Sequence, residues 1–112
     1  MPYVFADGLG NDISVQEMVP DEHSAHDYSI VNDPLVYNNL GYAVRTANQT
    51  RLGRSDETGA VKVFKKDGLF DETDHPGKEH LRNVSIIVAV KYGTNGKNKV
   101  VTYYDKPKGA VW

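Results

Sequence analysis

The chain has 112 residues, with 13 Lys and Arg against 15 Asp and Glu, and it contains no cysteine. A chain of this length predicts one domain, residues 1–112, with a modest core, and the lack of cysteine excludes disulfide scaffolds and cysteine zinc sites. No segment is long and apolar enough to span a bilayer, and residues 1–20 lack the pattern of a signal peptide. We therefore expect synthesis in the cytoplasm and no membrane partner.

Charge is distributed unevenly along the chain. Residues 1–44 carry seven acidic side chains and no Lys or Arg, whereas residues 45–112 carry all 13 basic side chains and eight acidic ones. The basic part would suit a polyanion, or the acidic part of a neighbouring copy. The alternative is that the two parts interleave in the fold, so that the asymmetry disappears at the surface.

The N-terminal segment predicts a β-hairpin. Residues 2–6 and 13–19 read as short strands, and the intervening sequence DGLGND contains Gly8 and Gly10, which permit positive φ. A polar linker follows at residues 20–28, with two histidines among carboxylates at positions 23 and 26. Imidazole and carboxylate are metal ligands, but this spacing is too loose for a defined site, so we predict no metal.

The middle of the chain predicts mostly short elements. Pro34 at a first helical position and Gly41 as a stop favour a turn or brief helix. Residues 40–46 alternate in a way that favours a strand, and residues 47–59 show no periodicity and predict a long polar loop.

Two further elements precede the last strands. Residues 60–66 alternate with Val61 and Val63 on one face, which predicts a strand. The Asp-Gly pair at residues 67–68 is typical of a type I′ turn and predicts a return strand after it. Residues 75–82 predict one helical turn, with a proline near its start.

The stretch from residue 83 to residue 105 has the longest apolar run and the clearest turn signal. Asn95-Gly96 predicts a type I′ turn, which places Val88 opposite Tyr103 and Ile87 opposite Tyr104. Alternation then assigns a core face to Val84, Ile86, Val88, Val90, Val101 and Tyr103. It assigns a second, mixed face to Ser85, Ile87, Ala89, Lys91, Val100, Thr102 and Tyr104.

Together these elements predict a mainly β fold, with α+β as the alternative. We expect a small antiparallel sheet built from hairpins, with one or two short helical turns.

One group of residues suggests catalysis. Glu79, His80 and Arg82, with Lys91 or Tyr103, would supply the base, acid and cation that RNA cleavage through its 2′-hydroxyl requires. Any solvated helical turn of this composition carries the same groups, so we predict a non-enzymatic protein without a cofactor. A small RNase-type enzyme or toxin using His80 stays an alternative, and so does a monomeric protein-binding or inhibitor module.

The function that we predict is a self-associating structural subunit of a viral particle, with copies of itself and RNA as partners. The two-faced hairpin, the charge asymmetry and the apolar end at Val111 and Trp112, which we assign to self-association, favour it. The candidate RNA or partner residues are Arg45, Arg51, Arg54, Ser85, Ile87, Lys91, Thr102 and Tyr104.

In general layout the chain resembles the coat subunits of small RNA phages. The resemblance lies in the short hairpin at residues 2–19 and in a two-faced sheet, since those coats use one sheet face for nucleic acid. Those subunits end in two helices that clasp a partner, whereas this chain ends in a strand and Trp112. The resemblance therefore implies no residue roles.

Overall fold

Six β-strands form a single sheet in the computed structural model, which describes residues 2–16, 34–68 and 83–108. The strands are β1 (Tyr3–Ala6), β2 (Asp12–Val15), β3 (Gln49–Leu52), β4 (Gly59–Asp67), β5 (Val84–Gly93) and β6 (Asn98–Pro107), and the helices are α1 (Pro34–Tyr37) and α2 (Leu40–Arg45). Their order across the sheet is β1-β2-β6-β5-β4-β3. Among the described strands, only β2 and β6 pair in parallel. The predicted mainly β fold is confirmed, and the sheet is mixed.

The predicted N-terminal hairpin is present. β1 pairs with β2 so that Phe5 lies opposite Ile13, and Gly8 and Gly10 have φ values of 84° and 92° as expected. The parallel contact between β2 and β6 then joins this hairpin to the rest of the sheet. The sheet therefore brings the second and the last described strands of the chain side by side.

Residues 40–45 form a helix, so the strand predicted over residues 40–46 is wrong. The buried side chains of the two helices lie at a helical spacing: Val36, Tyr37, Leu40, Ala43 and Val44. This period was present in the sequence, but a segment of six or seven residues also satisfies a strand alternation. Gly41 lies inside α2 and does not stop a helix.

Gly41 allows α2 to lie close to β1. A Cβ atom at this position would stand 2.8 Å from the Phe5 Cβ and 2.8 Å from the Arg45 Nη1. Contacts this short do not occur between ordinary side chains, so a larger residue would push the helix away from the sheet. Burial of the helix therefore selects glycine despite its low helix propensity.

The helices cover one surface of the sheet, which we call the helix face. The buried core on this face consists of Phe5, Ile13, Val15, Val36, Tyr37, Leu40, Ala43, Val44, Phe64, Ile86, Val88, Val90 and Val100. Ile86, Val88 and Val90 have no exposed surface and lie in the middle of the sheet on β5. The predicted core face of the last hairpin is thus confirmed for these three residues.

β3 lies within the predicted loop of residues 47–59, so residues 47–48 and 53–58 remain loops and Gly59 begins β4. All four residues of β3 are exposed, and the strand pairs only with β4 among the described strands. A strand without buried side chains has no apolar alternation to reveal it. Its existence depends on backbone pairing with β4.

The turn between β5 and β6 differs from the prediction. The Gly93 N–H donates to the Lys97 carbonyl at 3.0 Å, so the loop comprises residues 94–96. Gly96 has φ of 80°, and no non-glycine residue in the described ranges has positive φ. The two-residue type I′ turn at Asn95-Gly96 is therefore wrong, because it requires positive φ at both residues.

A β-bulge restores the predicted register farther from the turn. Val90 lies opposite Val100 and Ala89 opposite Thr102, so Val101 is the extra residue. Val100 belongs to the core and Val101 is 52% exposed, which reverses their predicted faces. Beyond the bulge, the predicted pairing of Val88 with Tyr103 is confirmed.

The Asp-Gly pair at residues 67–68 is likewise not a type I′ turn. Gly68 has φ of 72°, but Asp67 continues β4 opposite Ser85 without positive φ. The strand predicted over residues 60–66, which this pair follows, is confirmed within β4. The return strand predicted after Gly68 lies outside the described residues.

Candidate functional site

The surface of the sheet opposite α1 and α2, which we call the outer face, changes in character along β5. Its side chains come from alternate positions of neighbouring strands and include Ser14, Arg51, Lys65, Ser85, Ile87, Ala89, Lys91, Lys99, Thr102 and Tyr104. Ser85 and Ile87 have no exposed surface, whereas Lys99 and Thr102 are exposed. The outer face is therefore accessible at the end near the β5–β6 turn and buried at the other end.

A cleft of about 360 Å³ opens at this accessible end. Its lining consists of Ser14, Gln16, Thr58, Lys91, Gly93, Asn95, Lys97, Asn98 and Lys99. Three of these residues are lysines and none is acidic, and the remaining side chains offer hydroxyl and amide groups. The cleft is thus suited to an anionic ligand with further hydrogen-bonding groups.

Two of the cleft lysines are direct cross-strand neighbours. Lys91 on β5 lies opposite Lys99 on β6, which in turn lies opposite Ser14 on β2. Like charges placed directly opposite each other on one sheet face are destabilising. In the described parts of the chain, no carboxylate pairs with the Lys99 ammonium. A bound anion would relieve this repulsion.

A fourth charge near the cleft is the carboxylate of Asp56. Its Oδ2 accepts a hydrogen bond from the Lys91 Nζ at 3.1 Å, and its Oδ1 accepts from the Thr58 Oγ1 at 2.6 Å and from the Thr58 N–H at 2.8 Å. The Thr58 hydrogen bonds, and then the bond from Lys91, lower the pKa of Asp56 to about 2. Asp56 is therefore ionised at neutral pH and pairs with one of the three lysines.

The loop that carries Asp56 is held against the β5–β6 turn. The Thr94 N–H donates to the Thr58 carbonyl at 3.0 Å, and Gly59 lies opposite Gly93. A Cβ on Gly59 would stand 2.6 Å from the Tyr92 carbonyl oxygen, so only glycine allows this approach. Backbone contacts thus place Asp56 at the edge of the cleft.

The buried end of the outer face holds a polar network. Ser85 Oγ donates to Asp67 Oδ1 at 2.6 Å, and Lys65 Nζ lies 3.7 Å from the same oxygen. Lys65 is only 3% exposed. Groups buried to this extent act within the fold, so the predicted contact residues Ser85 and Ile87 are not part of the accessible site.

The other predicted contact residues are spread over the molecule. Lys91 lies in the cleft, and Thr102 and Tyr104 follow along β6 on the same face. Arg51 is on the edge strand β3, and the exposed Arg54 is in the loop after it. The structure therefore brings Lys91 and Thr102 to the accessible end and leaves the arginines apart from it.

Arg45 lies on the opposite side of the sheet, on α2. Its Nη1 donates to the Ala6 carbonyl at 2.9 Å. Tyr103, one of the alternatives for catalysis, also faces the helices, and burial, with a smaller contribution from Tyr37, raises its pKa to about 12. Tyr103 is therefore on the opposite face from Lys91 and protonated at neutral pH.

Sequence reasoning missed Asp56, Thr58, Lys97 and Lys99. In the predicted register Lys99 shared the parity of the core residue Val101, so the incorrect turn directed it away from the outer face. With a three-residue loop, Asn98 and Val100 fall on the helix face and Lys99 falls on the outer face. The alternation in the sequence NKV would then have indicated the position of Lys99.

Several predicted features lie outside the described residues. They are the linker at residues 20–28 with His23 and His26, the catalytic alternative Glu79, His80 and Arg82, and the tail residues Val111 and Trp112. Within residues 2–16, 34–68 and 83–108, no three His, Asp or Glu side chains are grouped as metal ligands. In those same ranges, neither helix has the length and apolar character needed to cross a bilayer.

Comparisons with protein-family models, curated proteins and solved structures find no match. The function proposed below therefore rests on the chemistry of the cleft and of the sheet edges.

Proposed function

We propose that this protein is a non-enzymatic, self-associating subunit, of the kind found in small viral particles, and that its sheet binds single-stranded RNA at the cleft. The observation that carries the proposal is the cross-strand pair of Lys91 and Lys99 in a cleft whose lining has no acidic residue. A phosphate between the two ammonium groups would replace their repulsion by two attractions.

The neutral groups of the cleft favour RNA over a simple inorganic anion. Thr58, Asn95 and Asn98 line the cleft beside the lysines. Hydroxyl and amide groups both donate and accept hydrogen bonds, as the 2′-hydroxyl and base edges of single-stranded RNA require. The exposed Thr102 extends this polar surface along β6, opposite Ala89.

A binding titration tests this part of the proposal. We expect a fluorescein-labelled oligouridylate of about ten nucleotides to bind, with an affinity that falls with salt at a log–log slope of about −2 for three lysine contacts. Lys99→Gln should weaken binding by about three- to tenfold. It should also make the salt slope shallower by the contribution of about one phosphate contact. Lys62→Gln, on the helix face, serves as the control and should leave both unchanged.

Three results would overturn the RNA assignment. Equal binding of polyglutamate would assign the lysines to an acidic protein partner. An unchanged affinity in Lys99→Gln would remove the cleft from the contact surface. Shortened oligonucleotides after incubation, abolished by His80→Ala, would instead establish the RNase-type alternative.

The edges of the sheet support self-association. On β3, Leu52 is 79% exposed, and on β1, Val4 is 61% exposed. Both strands are edges of the described sheet, and an edge strand with exposed apolar side chains is a template for pairing with another chain. A second copy would cover these positions.

Light scattering after size-exclusion chromatography tests association. We expect an oligomer for the wild type and a smaller species for Leu52→Lys, because a lysine on an edge strand opposes strand pairing. Val101→Lys is the matched control, since Val101 is 52% exposed on an interior strand. A wild-type monomer at every concentration, with and without RNA, would leave the monomeric binding module as the better description.

A further inference from the structure

The contacts of Asp56 resemble those that a bound phosphate would make. Its two carboxylate oxygens receive an ammonium hydrogen bond from Lys91, a hydroxyl hydrogen bond from Thr58 and a backbone N–H hydrogen bond from Thr58. Lys91 and Thr58 both line the cleft. An internal carboxylate thus uses donors that would otherwise be available to an anionic ligand.

We infer that Asp56 is an internal competitor for the RNA phosphate that binds Lys91. In the free protein Asp56 Oδ2 accepts a hydrogen bond from the Lys91 ammonium. When RNA binds, a phosphate oxygen replaces Oδ2 as the acceptor. This inference rests on the proposed RNA-binding function and adds a residue that sets its affinity.

The geometry allows this exchange without unfolding the loop. The Asp56 side chain is 60% exposed and that of Lys91 is 21% exposed, so water reaches the pair. Ion pairs of this kind contribute little to stability. The two Thr58 hydrogen bonds use Oδ1 and not Oδ2, so the turn at residues 56–58 persists when Lys91 leaves. The carboxylate then remains close enough to return.

The competition also distinguishes a chain of phosphates from a single one. Inorganic phosphate would compete with Asp56 mainly for Lys91. Successive phosphates of an RNA strand would in addition contact Lys97 and Lys99, to which Asp56 makes no hydrogen bond or ion pair. We therefore expect single phosphate ions to bind the wild type poorly.

The substitution Asp56→Asn tests the inference. Asn keeps the Oδ1 acceptor for Thr58 and replaces Oδ2 by an amide that cannot accept a hydrogen bond from Lys91. We expect the affinity for the labelled oligouridylate to rise by up to about fivefold, the range of an exposed ion pair. With labelled RNA held well below its Kd, inorganic phosphate should displace it from Asp56→Asn at a lower concentration than from the wild type.

Glu57→Gln is the matched control. Glu57 is the exposed neighbour of Asp56 in the same loop, and the substitution changes the net charge by the same amount. Its effect on affinity should stay below about twofold, because it acts only through the screened long-range field. Thermal unfolding of each variant verifies that the loop substitutions leave the fold intact.

A double-mutant cycle isolates the contact between Asp56 and Lys91. In a Lys91→Gln background, Asp56→Asn should change RNA affinity no more than Glu57→Gln does. Weaker binding by Asp56→Asn in the wild-type background would show that Asp56 positions Lys91, which contradicts the inference. Equal effects of Asp56→Asn and Glu57→Gln would also overturn it. Failure of the wild type to bind any RNA would instead overturn the proposed function.

Discussion

The helix face and the outer face of β5 are built from alternate residues of one strand, yet they differ in what surrounds them. On the helix face Val88 and Val90 are both fully buried. On the outer face burial is complete at Ile87 but ends at Lys91, which is partly exposed. The strand therefore has apolar packing along its whole helix face and only along half of its outer face.

The helix face contributes to the stability of the fold, whereas the accessible end of the outer face carries the proposed binding site. Apolar burial on the helix face stabilises the fold roughly in proportion to the area removed from water. The lysine pair at the accessible end of the outer face contributes repulsion. Substitutions in the helix-face core should therefore lower the free energy of unfolding. Removal of a lysine at the accessible end of the outer face should raise it.

The largest loss of stability is expected for Leu40→Ala. Leu40 has no exposed surface, lies in α2 and packs within the helix-face core. Removing a buried leucine side chain costs about 2–5 kcal/mol of unfolding free energy through lost burial and the remaining cavity. Urea denaturation measures this value. Leu9→Ala, at a 69% exposed position between β1 and β2, should change it by less than about 0.5 kcal/mol.

The next largest effect is expected for Gly41→Ala. The added methyl group would meet the Phe5 Cβ at 2.8 Å, and overpacking of this kind costs about 1–3 kcal/mol despite the better helix propensity of alanine. Urea denaturation again provides the measurement. In a Phe5→Gly background both the Phe5 Cβ and the Phe5 Cγ are absent, so the same substitution should cost less. Strict additivity of the two substitutions would contradict this explanation.

An effect of similar size, but one that depends on pH, is expected for Asp7→Asn. The buried Asp7 carboxylate accepts hydrogen bonds from the Asn11 side chain at 2.9 Å, the Leu9 N–H at 2.7 Å and the Tyr92 hydroxyl at 3.0 Å. Burial raises the pKa of this carboxyl, but these hydrogen bonds outweigh burial and lower its pKa overall. At neutral pH the substitution should cost about 1–3 kcal/mol.

The sign of the pH dependence follows from that lowered pKa. The ionised carboxylate stabilises the fold above the unfolded pKa of about 3.9, and this stabilisation is lost as pH falls through the folded pKa. The difference in unfolding free energy between the wild type and Asp7→Asn should therefore shrink below about pH 4. Denaturation curves at several pH values measure it. A difference that grows on acidification would contradict the assignment.

The smallest effect on stability, and one of opposite sign, is expected for Lys99→Gln. Removing one of two opposed lysines should raise the unfolding free energy by about 0.2–1 kcal/mol at low salt, while it weakens RNA binding. Urea denaturation at low and high salt measures the gain, which screening should reduce. Loss of stability in this variant would mean that Lys99 belongs to the structural part of the outer face.

The sequence predicted those parts of the fold that depend on local pattern. Alternation along β4 and β5 identified both strands, and the central pairing of Val88 with Tyr103 was correct. It did not predict β3, whose residues are all exposed, or the helix at residues 40–45, whose pattern was too short to exclude a strand. The candidate site was predicted only at Lys91 and Thr102, because the one-residue error at the turn placed Lys99 on the wrong face.

By itself, the sequence determined that this chain forms a mainly β structure around an apolar hairpin, because side-chain alternation and turn residues act over a few neighbouring positions. Only the tertiary structure decided that Lys91 and Lys99 face each other and that Asp56 reaches Lys91. The first depends on the three-residue loop, which pairs Lys91 with Lys99 instead of with Val100. The second depends on pairing between residues 35 positions apart, which no local pattern encodes.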